Sequence, residues 1–370
     1  MLLSVRYDSP SMKGILSLMA LSLVCVGLSF DGSNEEIKPL ILEPQKNTDK
    51  TNFGWFSGFI QHQYFSTDQA SKNSGFFRNR RTRLNYNYMG DEKTMGRLSV
   101  EFASGSNNST AQVRQAFIQY KPNTFKAKSG PTYTMGSQQI PMGYEINYSS
   151  GNRIWPERSV YEQTFFNAEA GRGLLFQNGD EGTYWFVGLF DSLTIGDPEQ
   201  SDSPTKGEVM PVYGIKGRYG PWDMGLSAMS GNRPSYSAGA INLAQTDRNF
   251  MYADLRYHPA GSKLDVRSEY MIGKDRVPLA TVATANKVSG GHVNVDYKLN
   301  DTDTAVLRYE IFDRNRDLPG KVQTLYGVGM AKDVNSFLRV SFAADWNKNP
   351  TNPVGQTSYK TLTFRVQFKF

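Results

Sequence analysis

The chain ends Thr361-Leu362-Thr363-Phe364-Arg365-Val366-Gln367-Phe368-Lys369-Phe370. Every even position from Leu362 to Phe370 is apolar, every odd position is polar or charged, and the last residue is aromatic. Successive side chains of a strand point to opposite faces, so this segment carries a wholly apolar face and a wholly polar one. A soluble edge strand rarely stops at a terminus with such a face uncovered. A strand of an outer-membrane barrel does, because lipid covers one face and a wet interior the other. An ordinary antiparallel sheet with one solvated face alternates in the same way, so the rest of the chain has to decide.

The bulk numbers fit a barrel better than a helical membrane protein. Mean hydropathy is −0.50, and past residue 30 no apolar run is long enough to span a bilayer as a helix. A barrel escapes that requirement, since only alternate residues need be apolar. The 20 Tyr, 22 Phe and 34 Gly suit aromatic girdles and tight turns. A soluble β-helix or sandwich has similar content, but no internal repeat marks a solenoid or propeller. The net charge of +6 is spread without a long Lys/Arg block, so nucleic-acid binding has no footprint. A mildly basic channel, which favours anions, and loops facing lipopolysaccharide are two uses for the excess.

The start reads as an export signal. Met12-Lys13 is a short basic beginning, Ile15 to Leu28 is almost wholly apolar, and Gly27 and Ser29 precede polar Asp31-Gly32-Ser33-Asn34-Glu35-Glu36. Residues 1–29 are therefore expected to be a signal peptide, with Met12 as an alternative start. Cys25 follows Val24 rather than Gly or Ala, which disfavours a lipoprotein, and it leaves with the signal. The mature chain then has no thiol chemistry. Residues 30–52, with Pro39 and Pro44, read as a flexible periplasmic segment, and 53–370 as the barrel domain.

Sixteen β-like runs follow, near 55–65, 77–89, 96–104, 112–121, 130–139, 171–178, 182–192, 209–220, 222–231, 248–258, 262–273, 289–299, 303–313, 321–331, 336–347 and 358–370. Short turns rich in Gly, Pro, Asn and Asp (Gly90 to Lys93, Gly220-Pro221, Asn300-Asp301, Lys332-Asp333) alternate with long loops, near 66–76, 105–111 and 140–170 among others. An all-β transmembrane antiparallel barrel has this rhythm, with both termini periplasmic. Arg267, Glu269, Arg308, Glu310, Arg339 and Asp345 fall on the polar faces, hence in the lumen. The runs 171–178 and 182–192 are apolar on both faces, as if covered by a neighbouring subunit or a folded-in loop.

A sixteen-stranded barrel is too wide for its own side chains to fill. The longest loop, 140–170, is expected to fold inward as a constriction, its aromatic side on the wall and its charged side toward the channel. It supplies Arg153 and Arg158. Facing it, Arg81 and Arg83 come from the run Arg78-Asn79-Arg80-Arg81-Thr82-Arg83, joined by Arg308, Arg339 and Arg365. Cross-strand ion pairs that merely neutralise one another are the plainer reading of these residues. Arg78 and Arg80 are expected near the outer rim, within reach of lipopolysaccharide. The three histidines, His62, His258 and His292, have no nucleophile implied beside them, so no catalysis is expected. No metal or other cofactor is expected either; the acidic stretch Asp197 to Asp202 lacks a Ca²⁺ ligand pattern.

Several segments, in order, resemble the phosphate-selective porin O and P family: Arg80-Arg81-Thr82-Arg83-Leu84, Gln115 to Tyr120, Met135 to Glu145, Ser149-Ser150, Glu157-Arg158 and Phe166 to Gly173. The likeness is clearest over 77–178. It implies a homotrimeric outer-membrane channel with an inward third loop, passing small hydrophilic or anionic solutes. Members known for phosphate selectivity carry a dense Lys/Arg ladder; here the fifth loop, 232–247, holds only Arg233. The rival class is a structural or adhesive barrel whose loops bind surfaces and whose lumen is closed. Ion flow separates the two.

Overall fold

The C-terminal strand closes a ring. In the computed structural model its polar set, Thr361, Thr363, Arg365 and Gln367, is buried, while Phe368 and Phe370 are exposed. The structure describes residues 53–370 except 71, 73, 106–107, 167–168, 181, 196, 198, 200–207, 239–240, 278–283 and 349–355. The expected signal peptide with Met12 and Cys25, and the segment 30–52, lie outside the described residues.

The strands are β1 (Phe53–Thr67), β2 (Phe76–Met89), β3 (Thr94–Gly105), β4 (Asn108–Tyr120), β5 (Ser129–Gln139), β6 (Ala170–Asp180), β7 (Tyr184–Asp191), β8 (Val209–Tyr219), β9 (Trp222–Arg233), β10 (Tyr236–Ala238), β11 (Ile241–Leu243), β12 (Thr246–Tyr257), β13 (Leu264–Asp275), β14 (Asn286–Lys298), β15 (Asp303–Asp313), β16 (Val322–Asp333), β17 (Leu338–Lys348) and β18 (Ser358–Lys369). One short helix, α1 (Val160–Phe165), lies between β5 and β6. Sixteen strands form a closed antiparallel barrel, each paired with its sequence neighbour, with β9 passing to β12 and β18 returning to β1. The two remaining strands, β10 and β11, make a small separate hairpin within the expected fifth loop. All sixteen expected runs are wall strands. Closure pairs Phe59 with Lys369 through Thr67 with Thr361.

The short connections are built alike. Asp91, Asp180, Asn300 and Asn335 each accept two backbone N–H bonds, from the residues two and three positions on, closing an Asx turn. Asn335 places its turn at 334–337 rather than at Lys332-Asp333, which stay in the ladder opposite Val340 and Arg339. The expected loop 105–111 is shorter too. The ladder of β3 and β4 runs out to Gly105 and Asn108, since its bonds are made by backbone whatever the side chains.

Outside, apolar side chains stand exposed on alternate positions, as lipid requires. Tyr120, Tyr133, Phe176 and Trp185 continue one another across β4 to β7 with ring centroids 6.5, 5.0 and 5.1 Å apart. Inside, the two-faced apolar strands find their reason. Leu175, Phe186, Phe190, Met210, Val212, Met229 and Phe250 form one buried cluster with Ile140, Met142, Ile146, Tyr161, Phe165 and Phe166 of the segment after β5. Of the two covers expected for β6 and β7, the loop is the one observed.

Candidate functional site

The segment 140–169 is held by side chains from many strands. Lys216 of β8 donates to the Gly143 carbonyl (2.5 Å) and Ser227 of β9 accepts from the Gly143 N–H (3.2 Å). On β13, Glu269 accepts the N–H groups of Tyr144 and Glu145 and the hydroxyl of Tyr161. That hydroxyl also lies 2.8 Å from Nδ1 of His292 on β14. On β15, Arg308 donates to Glu145 (3.0 Å) and Glu310 accepts from the Val160 N–H. From β18, Arg365 donates to the carbonyls of Arg153 (2.7 Å) and Ile154 (2.9 Å), and Gln367 to that of Gly151 (2.7 Å). Gln61 of β1 donates to the Ser150 carbonyl, 2.9 Å. Two wall glycines make room for the segment's rings: a Cβ on Gly290 would strike Tyr161, and one on Gly327 would strike Trp155.

The wall of β2–β4 is basic beyond what alternation allows. These strands carry Arg78, Arg80, Arg81, Arg83, Arg97 and Arg114 against one carboxylate, Glu101. Strict alternation would put Arg78 and Arg80 on the face opposite Arg81 and Arg83. A β-bulge changes this. Gln61 pairs with Arg81 and His62 with Asn79, so Arg80 is the extra residue. Beyond it the parity flips, Phe77 points out (81% exposed), and all four arginines face inward. A second bulge skips Arg114, since Ser99 pairs with Gln115 and Val100 with Val113. Arg114 thereby turns inward and donates to Glu101 at 2.7 Å. Arg78 and Arg80 do stand at the loop end of β2, as expected, but on the lumen face rather than toward lipid. Arg97 and Arg114 were not singled out from sequence at all.

Glu157 of the segment is the focus of this wall. Arg80 grips it through Nε (2.6 Å) and Nη2 (2.8 Å), Arg81 reaches it at 3.1 Å, and Arg78 stands at 3.8 Å. Burial alone would raise its carboxyl pKa, but Arg80 and Arg81 hold it well below the usual carboxylate range. Burial likewise opposes the charge of Glu145, and Arg308 foremost keeps it ionised. Glu162 is fully buried, and with Glu269 and Glu145 nearby its carboxyl is pushed well above the usual range.

The sequence-derived positions fall into distinct places. Arg81 joins Arg80 at Glu157, and Arg83 pairs with Glu101 at 2.5 Å. Arg153 and Arg158 are buried and share Glu169 at 3.3 and 3.2 Å. Arg308 bridges Glu145 and Glu310, Arg365 holds the segment's carbonyls, and Arg339 pairs with Asp333 (2.6 Å) and the Asn152 carbonyl. Of the acidic stretch, Asp197 pairs with Arg233 and Glu199 with Arg276, all buried; 198 and 200–202 lie outside the described residues. Among the described residues no group of three His, Cys, Asp or Glu is placed to hold a metal.

Between the segment and the arc β15–β18, β1 and β2 lies a cavity of about 1480 Å³. Lys72, Arg78, Arg80 and Glu157 stand at one end of the arc, and Glu310 and Asp345 line it toward the other. Trp155 separates this cavity from a second space of only about 10 Å³, lined by Tyr144, Arg267 and Asn294 among others.

No family model matches this chain, and no curated protein matches it. Solved structures do. The outer membrane channel DcaP of Acinetobacter baumannii has a TM-score of 0.60 at 11% identity, over 87% of this chain and 98% of that one. An anion-selective porin from Comamonas acidovorans has 0.60 at 10%, over 86% and 100%. OmpT of Vibrio cholerae, folded in vitro, has 0.60 at 11%, over 89% and 100%. The fold is that of an outer-membrane porin. At these identities the likeness speaks for the porin fold alone; it carries no residue-by-residue role across.

Proposed function

We propose that this chain is a passive outer-membrane channel for small hydrophilic solutes with a mild preference for anions, phosphate and other oxyanions among them. The observation that carries the proposal is the roomy cavity lined by Lys72, Arg78, Arg80, Arg158 and Arg314 against Glu157, Glu310 and Asp345, next to the arginine-rich wall of β2–β4. Water and ions enter such a space, and fixed positive charge along it favours anions. The segment 140–169, tied to strands all round the ring, is the part that sets the aperture. Transport of this kind needs no catalytic residue. The sequence likeness to the phosphate-selective porin O and P family supports the same reading, as does the fold likeness to an anion-selective porin. A homotrimer with periplasmic termini and lipopolysaccharide around its loops completes the proposal; OmpT of Vibrio cholerae has a trimer form.

One observation favours the rival. The second space beside Trp155 has room for one water at most, and a lumen closed there would make this a structural or adhesive barrel. Planar-bilayer recording of the purified, refolded protein in a salt gradient decides. Stepwise currents with an anion-signed reversal potential are expected. Silence from a demonstrably folded barrel would leave the structural reading.

A further inference from the structure

We propose that the arginine end of the cavity is a binding site for organic anions with a flat apolar body, aromatic carboxylates in particular, formed by Arg78, Arg80, Phe65 and Phe76. This rests on the channel reading above and names the solute class it would favour.

Arg78 is the central observation. Its guanidinium lies 4.8 Å from the centroid of Phe65 and 5.9 Å from that of Phe76. The two rings meet at 57° with centroids 5.8 Å apart, so they form an apolar corner beneath the cation. Its nearest carboxylate oxygen, on Glu157, is 3.8 Å away, beyond hydrogen-bond distance, and its buried Nε has no partner. A guanidinium fixed by ring contacts, with its donors unspent, is preorganised for a carboxylate. Glu157 shows the mode of binding from within the chain, since Arg80 already holds that carboxylate through two N–H groups. A solute carboxylate on Arg78 would share this cluster, in which three arginines face one acid.

The rest of the lining selects the body of the solute. Phe65, Phe76, Trp155, Phe312 and Leu325 all border the cavity. A hydrated inorganic phosphate loses water against such surfaces without replacement. An aromatic ring gains from their contact and from the faces of Phe65 and Phe76. The same corner therefore discriminates between anions of equal charge by their apolar part.

The test uses the refolded protein in planar bilayers, with benzoate, acetate and phosphate added in turn to a chloride current. Benzoate is expected to half-block at a concentration about tenfold below acetate or phosphate. Arg78→Gln should weaken the benzoate block about tenfold. Phe76→Leu should weaken the benzoate block more than the acetate block and so narrow the gap between them, and Glu157→Gln should tighten all three. Equal block by the three anions, or a benzoate block untouched by Arg78→Gln, would overturn the site while leaving the channel reading intact. A folded barrel that conducts nothing would overturn the channel reading instead. Calorimetric titration of benzoate into the same barrel in detergent then decides the site separately: heat lost in Arg78→Gln supports it, and no heat in the parent protein refutes it.

Discussion

Replacing Arg78 and Arg80 together by Gln asks whether the bulged wall sets ion selectivity. Arg78, Arg80 and Arg81 carry three positive charges around the single negative charge of Glu157. The double substitution leaves only the Arg81–Glu157 pair, so the local excess falls from +2 to zero. A monovalent ion passing about 7 Å from this centre feels about 0.6 kcal/mol per unit charge at the dielectric of water. About half survives screening in about 0.1 M salt, where the Debye length is about 10 Å. Losing two charges then raises the anion by about 0.6 kcal/mol and lowers the cation by as much, so the permeability ratio falls roughly sevenfold. Glutamine keeps hydrogen-bonding capacity toward Glu157, and the ties to β8, β13, β15 and β18 remain, so the barrel should fold. Reversal potential in a KCl gradient is the assay. A ratio that moves by less than about twofold at that salt would refute the reasoning and assign selectivity to another part of the lumen.

Three further outcomes follow from buried groups. Glu162 is held protonated well above the usual carboxylate range, first by burial and then by Glu269 and Glu145. Its contribution to stability is intact below the ordinary Glu value and lost as pH rises through the raised one. Glu162→Gln should therefore be more stable than the parent by about 1–3 kcal/mol at alkaline pH, and thermal melts that coincide at every pH would contradict this. Arg248, fully buried, donates to Asp275 (2.7 Å) and to the Phe165 carbonyl (2.8 Å). Arg248→Ala takes the closer of two arginines from the buried Asp275, which keeps Arg233 at 3.4 Å, and removes the bond to the Phe165 carbonyl; it should cost about 1–3 kcal/mol, checked by thermal unfolding of the folded barrel, and an unchanged melt would refute it. Trp155 stands between the large and small spaces, so Trp155→Ala should raise single-channel conductance, and an unchanged value would show that the constriction lies elsewhere.

The wall was legible because lipid imposes a rule on every strand. The alternation of Leu362 to Phe370, and of most of the runs before it, follows from one face meeting hydrocarbon, and the ladder carries all sixteen. What failed to show was whatever depended on partners far along the chain. Nothing in Arg78 to Arg83 announces a bulge, because the extra residue is defined by how Gln61 and His62 pair across the strand. Glu157 finds its arginines nearly eighty residues away. Phe186 and Phe190 look misplaced in a barrel strand until Phe166 and Ile140 cover them.

The bulges and the segment after β5 explain one another. On strict alternation Arg78 and Arg80 would face outward at the loop end of β2, where near the interface each costs about 0–1 kcal/mol. One inserted residue in β2 and one in β4 remove that conflict and add arginines to the inner wall. A wall so charged repels itself unless anions approach it. Glu157 supplies one, and the segment that carries it is seated on glycines and tied by carbonyls to Arg365. Neutralisation is incomplete, since Arg78 keeps donors that Glu157 does not reach. The charge left over faces the cavity, which is where a channel that favours anions needs it.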